Sequence, residues 1–280
     1  MPFIDIDGIQ VHYFEAGTGD PVLFLHTGPG HGGDWRAVIA KLDSSYHCLA
    51  PDLYFRGKSG PWPVSGNYSL DRDAALTAFL VSTTQRKAHL VGHSFGGAVA
   101  ARCALLYPEL IQTLTLIEPQ TLPLLKEVDE QELFEILKSI SDRFAASTRG
   151  GNPEPGWREF VDYYNGEGTW SSMPEHIRAR FLEHSETTVI LWNALFQNPT
   201  SAKDFRSIPF HTLIIAGSDT TMPERRICEL LSDLINDSVL QTIEGAGHMS
   251  PLTHPDLVAD LTRVHIHDWE RQSSGLSANG

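Results

Sequence analysis

The segment AHLVGHSFGGAVAARCALL, residues 88–106, decides the fold. Its apolar start, Ala88 to Gly92, passes directly into an alanine-rich stretch that contains Gly96 and Gly97. A strand that turns at once into a helix must bend sharply, and small residues around the bend give the chain the room it needs. We therefore predict a strand, a tight turn with Ser94 at its tip, and a helix that ends before Pro108.

Similar short apolar runs alternate with helical patterns on both sides of this segment. PVLFLH (residues 21–26) and YHCLA (46–50) precede it, and LTLIE (114–118) and HTLIIAG (211–217) follow it. Strands separated by helices need crossover connections, which favour a parallel sheet covered on both faces. The predicted fold class is α/β, with a mostly parallel sheet and helices on both of its faces.

Residues 119–207 depart from this alternation. They contain no convincing strand, and Leu133, Leu137 and Ile140 repeat at helical spacing. We predict a core formed by residues 1–118 and 208–272, interrupted by a helical insertion over 119–207. Residues 273–280 are small and polar, and we expect them to form a flexible tail.

The charge balance excludes several classes of partner. Lys and Arg number 21 against 35 Asp and Glu, a net charge of −14 that repels nucleic acid and anionic lipid. The N-terminus lacks the layout of a signal peptide, and no apolar run is long enough to span a bilayer, so we expect a cytoplasmic protein with no membrane partner. The three cysteines show no metal-ligand spacing, so no metal site is expected. A monomer and a homodimer both remain open.

Ser94 is the candidate nucleophile, because it stands at the centre of Gly92-His93-Ser94-Phe95-Gly96. The helix that follows points its unsatisfied backbone N–H groups at the same spot, which favours negative charge there. The structural alternative is a serine that merely caps the helix. The strand before Ser94 and the small-residue helix after it favour the nucleophile.

A serine hydroxyl needs a base to take its proton, and His248 is the best candidate among thirteen histidines. It lies in a glycine-rich loop, EGAGHM (residues 244–249), directly after a predicted strand. Such a loop at a carboxyl end lies on the same edge of the sheet as Ser94. His93, His26 and His31 are expected to shape the turn and the first loop instead.

The histidine needs a carboxylate to hold its tautomer, and two candidates remain open. Asp219 follows the strand that ends at Gly217, and it lies between Ser94 and His248 in chain order, as expected for a serine, acid, histidine arrangement. Glu118 also ends a strand. We favour Asp219 and keep Glu118 as the alternative acid.

A developing oxyanion needs preorganised donors. We expect one from the backbone N–H of Phe95 and the other from Gly28, in the loop after PVLFLH. Pro29 has no N–H to donate.

Together these residues resemble the α/β-hydrolase superfamily, in the branch with a helical cap. The resemblance covers nearly the whole chain outside the insertion and the tail, through five segments in the right order: PVLFLHTGPG, PDLYFRGKSG, GHSFGG, IIAGSDTTMP and GAGHMSPLTHP. It implies a cofactor-free hydrolase acting on esters or related acyl compounds, with the insertion as a cap. Three residues depart from the family pattern. Thr27 and Phe55 stand where glycine is common, and Asp219 comes one residue early, which keeps Glu118 open because some members place the acid there.

The leading functional hypothesis is acyl hydrolysis of medium-sized, mostly apolar esters or lactones through an acyl-enzyme on Ser94. A proline iminopeptidase is suggested by His26-Thr27-Gly28-Pro29-Gly30, although the turn lacks the Trp that usually follows the serine there. Hydrolysis of a carbon–carbon bond with the same triad, and a ligand-binding protein on a hydrolase fold, are further alternatives. The predicted pocket residues are Trp35, Phe55, Trp170, Trp192 and Met249.

Overall fold

A computed structural model, which describes residues 2–63 and 67–277, contains an eight-stranded sheet. Its strand order is β1-β2-β4-β3-β5-β6-β7-β8. β1 and β2 pair antiparallel and β2 joins β4 antiparallel, while every pairing from β4 to β8 is parallel. The strands are β1 (Phe3–Ile6), β2 (Ile9–Ala16), β3 (Asp20–Leu25), β4 (Tyr46–Pro51), β5 (Ala88–His93), β6 (Ile111–Ile117), β7 (Thr212–Gly217) and β8 (Ser238–Ile243).

Helices cover both faces of this sheet, as predicted. Outside residues 119–207 they are α1 (Arg36–Ile39), α2 (Leu70–Thr83), α3 (Phe95–Leu106), α11 (Met222–Leu234), α12 (Ser250–Thr253) and α13 (Pro255–Ser277), with short 3₁₀ helices at Gly32–Trp35 and Pro108–Leu110. β3 shows why the strands read as unbroken apolar runs. Leu23 and Leu25 belong to the core on one face, and Val22 and Phe24 to the core on the other. Alternate side chains of a central strand point to opposite faces, so a sheet covered twice needs both sets apolar.

Residues 119–207 are helical and contain no strand, as predicted; we call them the helical segment. Its helices are α4 (Pro123–Glu127), α5 (Gln131–Arg149), α6 (Glu154–Asn165), α7 (Thr169–Ser172), α8 (Glu175–Glu183), α9 (Ser185–Phe196) and α10 (Ala202–Arg206). Phe144, Trp157, Val161 and Trp170 form a small apolar core inside it. The segment leaves the sheet at the carboxyl end of β6, and Tyr164 on α6 contacts His248 in the loop after β8, so this part of the segment lies next to the carboxyl ends of the parallel strands.

The predicted flexible tail is partly wrong. α13 continues to Ser277, so residues 273–277 extend the last helix rather than fray from it. Residues 278–280 lie outside the described part of the chain. Within residues 2–63 and 67–277, no helix is both long and apolar enough to pass through a bilayer.

Four buried histidines make the stability of the fold sensitive to acid. Burial lowers the pKa of His26, His89 and His265 to about 4 and that of His93 to about 3. An unfolded histidine titrates near pH 6.5, so between roughly pH 6.5 and 4 the unfolded chain binds more protons than the folded one. Asp73 opposes this trend. Burial raises its pKa to about 7, so at this residue the folded chain binds a proton that the unfolded chain does not. Histidines dominate, and the free energy of unfolding should fall as the pH is lowered through this window.

Each such group contributes at most about 1.4 kcal/mol per pH unit. Urea unfolding at several pH values between 7.5 and 5 measures the slope. A His265→Gln variant should show a shallower slope than the wild type, whereas the exposed His176→Gln should leave it unchanged. A free energy of unfolding that is flat over this range would contradict the prediction.

Candidate active site

Ser94 lies in the predicted sharp turn between β5 and α3. Its backbone is in an unusual conformation, with φ 55° and ψ −116°, and its side chain is nearly buried. The small residues around it are required. A side chain on Gly92 would collide with the backbone of Gly96, and one on Gly96 with the carbonyls of Leu25 and His26. The turn therefore requires glycine at positions 92 and 96, where backbone atoms approach closely. This close packing fixes the position of the Ser94 hydroxyl at the carboxyl edge of the sheet.

His248 reaches Ser94 from the loop after β8, as predicted. Its Nε2 lies 3.0 Å from Ser94 Oγ. His93 points away from Ser94, and its Nε2 donates to the carbonyl of His248 at 2.8 Å. Trp35 packs edge-on against His93. His93 therefore helps hold the loop that carries His248, in agreement with its predicted structural role.

The carboxylate that meets His248 is Glu118, not Asp219. Glu118 Oε2 lies 2.6 Å from His248 Nδ1 and also accepts from Thr220 Oγ1 at 2.6 Å, while Oε1 accepts from the Gly217 N–H at 2.7 Å. Burial raises the pKa of Glu118, but the hydrogen bonds from His248, Thr220 and Gly217 outweigh it and hold the pKa below its ordinary value. An ionised acceptor at Nδ1 places the imidazole proton there and leaves Nε2 free to accept the Ser94 proton.

The prediction that Asp219, and not Glu118, lies beside His248 is therefore wrong. Asp219 is exposed, and its carboxylate accepts from Ser218 Oγ at 2.9 Å. Glu118 occupies the place beside His248 because β6 is the direct neighbour of β5, and a positive φ of 41° at Glu118 turns its side chain inward. The early position of Asp219 after Gly217 is the sequence signal that pointed to this outcome.

The loop after β3 is held in place by His26. The Leu53 N–H donates to His26 Nε2 at 2.9 Å, so the ring proton resides on Nδ1, which lies 2.7 Å from the carbonyl oxygen of Thr27. Since the carbonyl and N–H of a peptide point in opposite directions, this contact fixes the direction of the Gly28 N–H. That N–H has no acceptor within the described chain, and Phe95, the first residue of α3, has no intrahelical one.

A narrow cavity of about 30 Å³ lies at Ser94. Gly28 and Phe95 line it together with Ser94, so both predicted oxyanion donors lie beside the hydroxyl. The helical segment supplies the opposite, mostly apolar wall: Phe160, Tyr164, Thr188, Leu191, Trp192 and Leu195. Of the predicted pocket residues, Trp192 is at this cavity and Met249 lines a larger neighbouring one.

The other three predicted pocket residues lie elsewhere. Trp35 packs on Phe24 in the core under the sheet. Trp170 is buried in the core of the helical segment. Phe55 has the positive φ, 66°, that glycine would adopt there, but its ring packs against Tyr68 and not into the cavity.

Comparison with known proteins places this architecture in a family. The sequence profile of the Alpha/beta hydrolase family matches residues 22–261. The chain belongs to this family. The structure of MGS-M2, an alpha/beta hydrolase enzyme from a Medee basin deep-sea metagenome library, has the same fold, with a TM-score of 0.80, 18% identity and coverage of 95% of this chain and 97% of that one.

Two relatives of this alpha/beta hydrolase match over most of their length. The 2-hydroxy-6-oxo-6-(2'-aminophenyl)hexa-2,4-dienoic acid hydrolase of Metapseudomonas resinovorans is 27% identical over 93% of this chain and 88% of its own. The 2-hydroxymuconate semialdehyde hydrolase of Pseudomonas sp. (strain CF600) is 25% identical over 91% and 89%. This chain is therefore a hydrolase by family.

Sequence reasoning missed a polar cluster above His248 in this alpha/beta hydrolase. The ring of Tyr164, on α6, lies 4.4 Å from that of His248, and its hydroxyl contacts the buried Glu224 at 3.1 Å. Gln120 Nε2 donates to the same carboxylate at 3.0 Å. The described residues contain no group of three or more His, Cys, Asp or Glu arranged to hold a metal.

Proposed function

We propose that this alpha/beta hydrolase is a serine hydrolase that cleaves esters or related acyl compounds. One observation supports this most directly: Ser94 Oγ, the His248 imidazole and the Glu118 carboxylate form a continuous chain with contacts of 3.0 and 2.6 Å. A hydroxyl, a base and an orienting acid in this order are what nucleophilic catalysis by serine requires. The acid in this proposal is Glu118.

In the proposed mechanism, Ser94 Oγ attacks the substrate carbonyl carbon while His248 Nε2 takes the hydroxyl proton. The oxyanion accepts hydrogen bonds from the Gly28 and Phe95 N–H groups, and Glu118 stabilises the imidazolium. His248 then gives its proton to the leaving group, which departs and leaves an acyl-enzyme. Water then attacks the acyl-enzyme while His248 takes a proton from it. His248 returns this proton to Ser94 Oγ as the acid product departs, which restores the free hydroxyl.

We further propose that the helical segment acts as a cap. Tyr164 packs on His248, and residues of α6 and α9 form the wall opposite Ser94. A volume of about 30 Å³ is close to that of a single water molecule. We therefore propose that these helices move outward to admit a substrate. The apolar wall favours medium-sized apolar acyl groups.

A Trp192→Ala variant tests this cap. Removing the indole from the cavity wall enlarges the space beside Ser94, so the preferred acyl chain of p-nitrophenyl esters should lengthen by two or more carbons, with kcat/KM for octanoate rising about 10-fold relative to acetate. A Trp170→Phe variant, altered inside the core of the helical segment, is the control. An unchanged chain-length profile in Trp192→Ala would show that α9 does not line the acyl site.

Carbon–carbon bond hydrolysis is the second candidate, since two relatives that match over most of this chain are named for dienoic acid and semialdehyde hydrolysis. The same Ser94, His248 and Glu118 would serve. Parallel rates on a 2-hydroxy-6-oxohexa-2,4-dienoate and on p-nitrophenyl butyrate separate the two: a kcat/KM at least 100-fold higher on the dienoate would favour the second candidate.

Fluorophosphonate labelling tests the proposed nucleophile. The wild type should be labelled at Ser94, as located by peptide mass spectrometry, and should turn over esters faster than proline p-nitroanilide, the substrate expected for an iminopeptidase. Labelling without turnover of any ester, lactone, amide or dienoate would instead indicate a ligand-binding protein. Absence of labelling at Ser94 would contradict a serine mechanism.

A further inference from the structure

A second, larger cavity of about 270 Å³ adjoins the one at Ser94, and Thr27 and Pro29 line both. It has a positive lining in a chain whose net charge is −14. Arg56 and Arg180 supply its positive charge. His31 and His184 also line it, and burial lowers the pKa of His184, which favours the neutral imidazole. Its single carboxylate, Asp34, accepts from the His31 N–H at 2.9 Å.

Arg56 is the unusual member of this lining, because its side chain is buried, with an exposed fraction of 1%. All its hydrogen-bond acceptors are neutral. Nε donates to the carbonyl of Gly28, Nη1 to Phe55 O at 3.2 Å and to Thr187 Oγ1 at 2.7 Å, and Nη2 to Thr188 Oγ1 at 2.9 Å. A guanidinium has five N–H donors. These contacts use four, and the second N–H of Nη2 has no acceptor in the described part of the chain.

No carboxylate among the described residues pairs with Arg56. Burying an unpaired charge costs several kcal/mol by general estimates, so a protein seldom keeps one without a use. Asp73 interacts with the charge of Arg56 through space, but its carboxylate accepts from the Tyr68 hydroxyl and the Tyr54 N–H instead. Burial raises the pKa of Asp73 to about 7, so this carboxyl is largely neutral below neutral pH. Arg56 therefore has no direct ion pair in the described part of the chain, and Asp73 offsets its charge only in part.

We infer that this hydrolase acts on substrates that carry a carboxylate, and that Arg56, assisted by Arg180, binds this carboxylate in the larger cavity while the apolar part of the substrate lies beside Trp192. This inference rests on the proposed function and names its substrate class. Thr27 and Pro29 lie between the two cavities, so one molecule that spans them places its carbonyl next to Ser94 and Gly28. Arg56 also donates to the Gly28 carbonyl and to Thr187 and Thr188 on α9, so it would connect a bound carboxylate to the loop after β3 and to the helical segment.

Matched ester pairs test the inference. Mono-p-nitrophenyl adipate and p-nitrophenyl hexanoate differ by a carboxylate on the acyl side, and 3-(butanoyloxy)benzoate and phenyl butyrate differ by one on the leaving-group side. In at least one pair we expect wild-type kcat/KM to favour the charged ester by about 10-fold or more. Arg56→Gln should remove this preference, Arg56→Lys should retain part of it, and the exposed Arg149→Gln should leave it unchanged.

A second variant and a binding assay keep the test decisive. Should Arg56→Gln fail to fold, as judged by its Tm, Arg180→Gln on the exposed face of α8 should still reduce the preference about 3-fold. Binding to Ser94→Ala, followed through the fluorescence of Trp157 in the cavity wall, does not depend on turnover. The inference is overturned when neutral esters are hydrolysed and neither charged ester is preferred, or when Ser94→Ala binds both members of each pair equally. Tighter binding of a charged ester without turnover of any substrate would overturn the proposed function, and with it the substrate class, and would leave only Arg56 as a carboxylate-binding residue.

Discussion

Replacing Ser94 by alanine should lower kcat on p-nitrophenyl esters by about a million-fold, to the level left by the oxyanion donors alone. The methyl group fits the turn, so the fold should persist, but no acyl-enzyme can form. Initial rates at saturating substrate, with active-site titration of the wild type to exclude contamination, measure the effect. Ser82→Ala, which removes an exposed hydroxyl on α2, is the matched control and should retain full activity. More than about 1% residual turnover in Ser94→Ala would show that the reaction runs through another group.

Glu118→Gln should lower kcat by about 10⁴-fold, while Asp219→Asn should stay within a few-fold of the wild type. The amide can present an NH₂ group to His248 Nδ1, which would place the imidazole proton on Nε2 and remove the base that Ser94 needs. Glutamine keeps one acceptor for the Gly217 N–H, so circular dichroism and Tm should confirm that the fold is retained. The pair is closely matched because each variant changes one carboxylate at the end of neighbouring strands. If Asp219→Asn lost activity while Glu118→Gln kept it, Asp219 would be the catalytic acid.

The sequence was sufficient to predict the sheet, the turn at Ser94 and the reach of His248, because each depends on local pattern and on the rule that parallel strands end at one edge. It could not decide between Glu118 and Asp219. Both follow strands that end at this edge, and β6 and β7 are direct neighbours. The choice depends on the direction in which each side chain leaves its strand, and a positive φ at Glu118 sets that direction. Backbone conformation of this kind follows from tertiary packing, not from residue type.

The pocket residues show the same limit. Trp192 and Trp170 are both tryptophans on helices of the helical segment, yet one lines the cavity at Ser94 and the other fills a separate core. Which face of each helix meets the sheet depends on how the helices pack together. The sequence did not indicate that Arg56 is buried, because a cation in a turn is usually solvated. Only the fold shows that helix α9 covers it.

The place of Glu118 has a consequence for protein engineering. Glu118, whose carboxylate meets the His248 imidazole, is followed at once by the first residues of the helical segment, so the acid and the attachment of this segment share one stretch of backbone. A chimaera that exchanged the helical segment at Pro119 would join directly onto Glu118 and would replace Gln120. The backbone N–H of Gln120 donates to Ser94 O at 3.1 Å, and its side chain donates to Glu224 at 3.0 Å. Junctions placed after Thr121 on one side and at Ser207 on the other would keep both contacts of Gln120. Residues 119–121 should therefore stay with the sheet when another helical segment is grafted onto it.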